Sequence, residues 1–417
     1  MIRIYKLVLP CIALCLVTGS SRAASTVSLL RFGAAGQGSD DSRIFQRALA
    51  ATAAARKQLE IPASPRPYHV RPLFLPSNAD ILVDSGVVVE AVSGYGTFEK
   101  LLNIVNVSNV SIRGAKGHST FRMLKPEYRD GEYRHCLSIE GASNVYISGI
   151  SCNDSGGDGL YISDGHQPYS SNITVEDSTF DNNRRQGFSL ISGRGIFIRR
   201  CSFTNTKGTV PADGIDIEPN TGTNYLEDIN IEDSATSGNA GNGFAIDARN
   251  LHSSSRPVSV SVRRLKSSHN QASGFFATNE NTGKDGGTGL IRVIDSESSM
   301  DAQYGAVASF YNSAGPAIRF ENLTIIDPNQ SRSTYDNAAM AVKRGGGGAG
   351  QIGNVFFVRP TIVDKQGNLE CYLSLRDYSG IGFSRIRLAD PLKLAGARSA
   401  KDGLLVQGRP VVKVDLP

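Results

Sequence analysis

"GDGLYIS" (157–163), "RQGFSLIS" (185–192) and "ADGIDIEP" (212–219) are three versions of one phrase. It returns as "GNGFAIDA" (241–248), "ASGFFATN" (272–279) and "QYGAVASF" (303–310). The shared glycines, Gly159, Gly187, Gly214, Gly243, Gly274 and Gly305, are separated by 28, 27, 29, 31 and 31 residues. Between them lies a second alternating segment each time, such as "NITVED", "GIFIRR", "DINIED" or "VSVSVR", and then a short piece such as "STFDNN". Two or three short strands per repeat, with no helical period between them, exclude βαβ units. Such a repeat buries its apolar side chains only by stacking coil on coil. Each strand then pairs with its equivalent one coil on, about 4.8 Å away. The period therefore predicts an all-β, single-stranded parallel β-helix with inward Leu, Ile, Phe and Val as a continuous core.

The fourth residue before each glycine reads Ser155, Asn183, Asn239, Asn270 and Asp301, and the coil ending at Gly214 is displaced by an insertion carrying Lys207. A stacked Asn ladder at one corner is expected, because Asn tolerates left-handed turns and bonds nearby backbone. A solenoid has open ends that need covers. The segment "SDDSRIFQRALAATAAARKQ" (39–58) is the one convincing helix. Ser39 or Asp40 would cap it, and Ile44, Phe45, Ala48, Leu49, Thr52 and Ala55 would form the face that plugs the N-terminal end. The C-terminal "KDGLLVQGRPVVKVDLP" would close the other end less regularly. One elongated domain, 24–417, is expected, with a capping segment over about 24–100 and regular coils over about 101–390.

The first 23 residues read as a secretory signal peptide: a short basic start, an apolar run from Leu7 to Val17, and small residues at Ser21 and Ala23. The apolar run is too short to span a membrane. A secreted or periplasmic monomer is expected. Cys136, Cys152, Cys201 and Cys371 are scattered without a CxxC pair, which suits buried thiols better than a disulfide scaffold. The net charge of +5 is mild and interspersed, so nucleic acid is a poor partner and an anionic polymer is tolerated. The glycine run "RGGGGAG" (344–350) lacks the strand-to-helix context of a phosphate loop.

In this register the central strands present three outward rows. The first holds Ser138, Tyr161, Ser189, Asp216, Ala245, Phe276 and Val307, and the second Glu140, Ser163, Ile191, Glu218, Asp247, Thr278 and Ser309. The residues before the glycines form the third: Asp158, Gln186, Asp213, Asn242, Ser273 and Tyr304. Acidic residues thus gather in mid-solenoid, facing solvent between two walls of long loops, a groove suited to a polymer. Asp158, Asp213, Asp216 and Glu218 are the catalytic candidates. Asp158 and Asp213 should stand about 10 Å apart, and Asp247 about 5 Å from Glu218. Paired carboxylates at roughly 6.5–9.5 Å suit inverting glycoside hydrolysis, and crowding leaves one of them protonated as the acid. Tyr161, His166, Arg184, Arg185, Lys207 and Asp247 are the substrate-binding candidates. His166 is the only histidine expected near this face at a strand exit. Tyr128, Tyr133, Tyr169, Tyr225 and Phe276 would stack on sugar rings, and Arg122, Lys125, Arg129 and Arg134 would add charge. The bland alternative is that outward strand positions are simply polar and Asp-Gly is a common turn.

"LLRFGAAGQGSDDSRIFQRALAAT" (29–52), "IPASPRPYHVRPLFLPSNADILVDSGVVVEA" (61–91) and "LLNIVNVSNVSIRG" (101–114) resemble the N-terminal part of the pectate-lyase-like, polygalacturonase-related right-handed β-helix proteins. The likeness spans most of the mature chain and implies that right-handed fold and a polysaccharide substrate. Residues Gly36 to Asp41 form a shortened variant of the family's GDGxxDD motif. The Asn-Thr-Asp, Asp-Asp, Gly-His-Gly and Arg-Ile-Lys motifs of polygalacturonases are absent from the expected strands. Asp164-Gly165-His166 resembles the Asp-Pro-His-Glu motif of mannuronan C5-epimerases without its Pro and Glu, and implies Tyr161 as proton donor. Three expectations follow: hydrolysis of a polysaccharide by the carboxylates; elimination or epimerisation of a uronate polymer; or glycan binding without catalysis. For the second, Arg185 or Ca²⁺ held by Asp216, Glu218 and Asp247 would neutralise the substrate. No cofactor is otherwise expected.

Overall fold

The computed structural model describes residues 25–407 apart from 34, 35, 37, 39, 116, 281–285, 333–336, 345–349, 380–382, 390–392 and 396–403. The expected leader peptide, Ser39, most of the glycine run and the last ten residues lie outside that set. Strands form three parallel sheets of 13, 12 and 12 strands, each ordered as the coils succeed one another in sequence. One coil gives one strand to each, for example Leu160–Ser163, Ser170–Glu176 and Thr179–Asp181. Pairing begins at Thr26–Ser28 with Gln58–Ile61 and ends at Cys371–Asp377 with Leu404–Gln407, so a piece of the C-terminal stretch adds a further strand.

The repeat glycines form one column. Leu160, Phe188, Ile215, Phe244 and Phe275 donate their amide protons to the carbonyls of Gly187, Gly214, Gly243, Gly274 and Gly305 one coil on. A Cβ at Gly187 would stand 2.5 Å from Gly214 O and 2.8 Å from Phe203 Cβ. Close approach of neighbouring coils therefore excludes a side chain in this column.

The polar ladder runs beside it. Ser155 N donates to Asn183 Oδ1 at 3.1 Å, Asn239 N to Asn270 Oδ1 at 3.1 Å, and Asn270 N to Asp301 Oδ1 at 2.9 Å. Thr206 takes the corner in the coil with the insertion, donating from its amide to Asn239 Oδ1 at 3.0 Å. The ladder residues are not themselves left-handed. That strain falls one residue earlier, on Asp154, Asn182, Asn205, Gly238, His269 and Met300. The buried amides thus satisfy the carbonyls and N–H groups of a turn that would otherwise be orphaned.

Helix α1, Ser42–Ala54, packs over the first strands with Phe45, Ala48, Leu49, Thr52 and Ala53 buried. It ends one residue before Ala55, which is exposed, and Ala53 takes that place on the face. Asp41, not Asp40, is the cap residue, but its carboxylate bonds Gly36 N and His69 N. Asp40 Oδ1 instead accepts from Ser42 N at 3.0 Å. Inside, the core is continuous from Leu29 to Ile386 and includes a Phe180–Phe203 stack at 5.2 Å. Cys136, Cys152, Cys201 and Cys371 are buried thiols. No helix among the described residues is long and apolar enough to cross a membrane.

Candidate active site

The strand Ile215–Ile217 sends both isoleucines into the core and Asp216 the other way. Ser138, Tyr161, Ser189, Asp216, Ala245, Phe276 and Val307 are cross-strand partners in register, as the period requires. The carboxylates do not face open solvent, however. Asp158, Asp213, Asp216 and Asp247 are all buried. The neighbouring loops close over them.

Arg185 is the cover. Its Nε lies 3.2 Å from Glu132 Oε2, and its Nη2 lies 3.5 Å from Glu218 Oε2. Burial disfavours its charge, yet Asp158, Asp216, Glu132 and Glu218 hold its pKa above the ordinary value. One guanidinium therefore serves four carboxylates. Beneath it, Gln186 ties the rows together: Nε2 donates to Asp216 Oδ2 at 2.7 Å while Oε1 accepts from Asp213 N at 2.6 Å. Asp213 Oδ1 accepts from the backbone and side-chain amides of Asn242.

Burial sets the protonation of this cluster. Asp158 is pushed up to about 7 by desolvation, which Arg185 offsets only in part. Asp213 is likewise pushed up to about 7 by burial against the Asn242 bonds. Asp216 rises well above the ordinary carboxylate range, through burial first and then the nearby charges of Asp213 and Glu218. Glu218 is the accessible member, with 34 % of its side chain exposed.

His135 is the histidine of this face, correcting the expectation for His166. Its ring stacks on Tyr161 at 4.3 Å, 4° from parallel. Burial holds it well below the ordinary imidazole value, so it is neutral. Leu137 pairs with Leu160, so His135 occupies the row of Asp158 one coil earlier. The repeat hides it because Cys136 stands where the later coils have glycine. Glu132, which lies in an aperiodic loop, carries no such signal. Tyr161 is pushed up to about 12 by burial, and Lys100 Nζ stands 5.8 Å from its ring centre. Lys100 also pairs with Glu140, which accepts from Ser138 Oγ at 2.6 Å.

His166 itself is exposed, its amide bonding Asn106 Oδ1, and Asp164 accepts from Ser163 Oγ at 2.7 Å. Asp247 is paired with Arg249, so its charge beside Glu218 is relieved. Among the described residues no three carboxylate, His or Cys side chains converge in a metal-holding group. Arg184 and Lys207 leave the face altogether and line a separate pocket with Arg122, Lys125 and Arg129. Tyr128 and Arg134 are buried against each other, 5.1 Å apart, and are structural. Two aromatic pairs remain on the loops: Phe98 with Tyr133 at 5.1 Å, and Tyr169 with Tyr225 at 4.5 Å.

The family described as "right handed beta helix region" matches residues 85–286. That match joins the three parallel sheets and the glycine column. The fold is a right-handed parallel β-helix. Among solved structures the β-helix is similar to the A-module of a mannuronan C-5 epimerase from Azotobacter vinelandii, at 16% identity over 92% of this chain and 98% of that one, with a TM-score of 0.69. A hyperthermoactive exopolygalacturonase from Thermotoga maritima shares 13% identity over 90% of this chain and 93% of that one, at TM-score 0.59. The Streptococcus pneumoniae surface protein and adhesin PfbA shares 11% over 92% of this chain and 100% of that one, at 0.64. No curated protein matches the β-helix chain significantly. Likeness at such identity concerns fold.

Proposed function

We propose that the protein is an exported enzyme that cleaves a polysaccharide by glycosidic hydrolysis, with Asp216 as general acid and Glu218 as general base. The observation that carries this reading is the buried Asp216, its pKa raised by desolvation and by neighbouring carboxylates, two residues before the accessible Glu218, which lies just past the end of the same strand. Two residues of extended chain advance about 6.6 Å along the backbone, a spacing that suits carboxyls set to leave room for water in inverting hydrolysis. Asp216 would give its proton to the leaving glycosidic oxygen as that bond breaks. Glu218 would take a proton from the water that attacks the anomeric carbon, releasing a new reducing end of inverted configuration.

Elimination or epimerisation is the second reading, supported by Lys100 over the Tyr161 ring and by Asp164 close enough to act on that phenol. It needs a cation to neutralise a uronate. The cations of the face are already paired: Lys100 with Glu140, Arg185 with Glu132 and Glu218, and Arg249 with Asp247. That pairing favours chemistry on a sugar whose reacting ring is uncharged.

The test is product analysis across neutral and acidic plant, algal and bacterial polysaccharides. New reducing ends without an ultraviolet-absorbing unsaturated sugar support hydrolysis, and unsaturated ends would replace it with elimination. Altered sugar configuration without cleavage would replace it with epimerisation. Binding without any change in the polymer would make the groove a glycan-binding site.

A further inference from the structure

The coil that carries Asp216 is lengthened by the insertion "NTKGTVPA" (205–212), and that insertion builds something away from the face. Lys207 and Gly208 close one side of a pocket of about 790 Å³. Arg122, Lys125, Arg129 and Arg184 line the rest of it with two carboxylates, Glu90 and Asp154. None of Asp158, Asp213, Asp216, Glu218 or Arg185 lines it.

The charges do not cancel. Glu90 is held by Arg122 and by His69 Nε2, and Asp154 Oδ1 accepts from Asn182 Nδ2 at 2.6 Å. Among the described residues, Arg129, Arg184 and Lys207 form no ion pair. Five cations against two carboxylates leave an excess of three around one cavity.

Two of these cations are also held in place. Lys125 Nζ donates to Asn182 O at 2.8 Å, Asn182 Oδ1 at 3.0 Å and Asn183 O at 2.9 Å, so it is anchored to the turn. Arg184 reaches across with Nη2 on Arg129 O at 2.8 Å, while its buried Nε has no hydrogen-bond partner. Gly208 permits this crossing: a Cβ there would meet Arg184 Cγ at 2.9 Å, and its φ of +137° suits glycine. Lys125 is pushed down to about 8, by burial first and then by Lys207 and Arg184, against the opposing pull of Asp154 and Asp181. An anion placed among these cations would relieve their crowding.

The geometry points to an oxyanion-binding pocket that takes a sulfate, phosphate or carboxylate group carried on a glycan chain, at a site separate from the carboxylate face. Arginine and lysine held in a partly desolvated cavity are suited to such groups. The volume lies within the roughly 300–1,000 Å³ range of ligand pockets and exceeds what a lone oxyanion fills, which argues for a group borne on a larger molecule. Only the choice of a glycan as carrier rests on the functional reading of the face.

The test measures binding of fluorescently labelled dextran sulfate by anisotropy at constant ionic strength, with neutral dextran as comparator. The Arg184→Gln/Lys207→Gln variant should bind dextran sulfate about tenfold more weakly, and Lys207→Gln alone about threefold. Lys207 is exposed, so the single variant keeps the fold if the double one does not. The Arg264→Gln/Lys266→Gln variant, equal in charge change but on a distant corner, should stay within about twofold of the parent. Equal weakening by both doubles, or none by Lys207→Gln, would overturn the pocket. Inorganic sulfate that competes only at much higher sulfate-group concentration supports a chain-borne group, and competition at equal concentration overturns that part in favour of the free ion. The readout needs no turnover, so its failure leaves the hydrolytic reading standing and loss of that reading leaves this test intact.

Discussion

His135 Nδ1 lies 3.0 Å from the Asp158 amide nitrogen and 3.4 Å from Oδ2 of the same residue. Because the amide N–H donates to Nδ1, that nitrogen presents its lone pair and the ring proton sits on Nε2. An ionised Asp158 would set a negative oxygen against that lone pair in a fully buried site. Burial there outweighs the support that Arg185, the Ser189 hydroxyl and the Gln186 backbone give the ionised form. A neutral carboxylic acid avoids both penalties.

Stability should therefore depend on pH through Asp158. Its folded pKa of about 7 lies above the ordinary 3.8, so the native state keeps a proton that the unfolded chain has released. The contribution is full below about pH 4, declines between about pH 4 and 7, and is lost above that. Its size is on the order of a few kcal/mol, reduced because Arg185 attracts the ionised form. Asp158→Asn cannot ionise. Its melting temperature should match the parent near pH 4 and exceed it by several degrees at pH 8. A difference that stays constant across that range would show that Asp158 is not buried neutral.

Asp216→Asn and Glu218→Gln preserve size and should leave the far-ultraviolet spectrum of the β-helix unchanged. On the identified polymer each should lower kcat by about 10²–10⁴-fold, the usual contribution of a positioned acid or base. The two should differ in rescue. An aryl glycoside with a good leaving group needs no proton, so it should restore turnover to Asp216→Asn and not to Glu218→Gln. Turnover by the parent should fall at alkaline pH as Asp216 loses its proton. Full activity in both variants would move the roles to Asp158 and Asp213.

Much of this was legible in the residues because a solenoid repeats its constraints. The glycine spacing places Asp216 in register with Ser189 and Tyr161, and those pairs are present. What a period cannot carry is the depth of the loops. Outward strand positions were expected to meet water, but Arg185 and Gln186 close over Asp158, Asp213 and Asp216. Adjacent residues also part company: Arg185 turns to the face while Arg184 turns to the flank, a choice made by Gly208 and the Arg129 carbonyl. His135 escaped because Cys136 breaks the glycine column just where the row continues.

Gly187→Ala tests how tightly that column is packed. The added methyl would press on Gly214 O and Phe203 Cβ, a backbone atom and the root of a stacked ring. Neither moves without shifting a coil. A loss of about 1–3 kcal/mol is expected, the usual cost of overpacking. Thermal or denaturant unfolding reads it. A loss below about 0.5 kcal/mol would mean that the coils can separate locally.

The aromatic pairs on the loops should decide affinity for the polymer. Phe98 is 72% exposed and Tyr133 46%, yet the rings stack on each other at 5.1 Å. Exposed large rings held together make an apolar platform, and a sugar ring has an apolar face to lay on it. Tyr169 and Tyr225 form the second pair, with Arg256 5.4 Å from the Tyr225 ring. Tyr133→Ala should leave stability within about 0.5 kcal/mol, since so much of the ring already faces water. Polymer binding should weaken about fivefold, corresponding to roughly 1 kcal/mol. Tyr225→Ala should act similarly on a long chain. Because the two pairs would contact different sugar units, an oligosaccharide too short to reach both should respond to only one substitution. Calorimetric titration with a length series of the identified polymer reads this. Equal loss from both variants on the shortest oligosaccharide that still binds would mean that the pairs act together on one sugar unit instead of marking separate stretches of a groove.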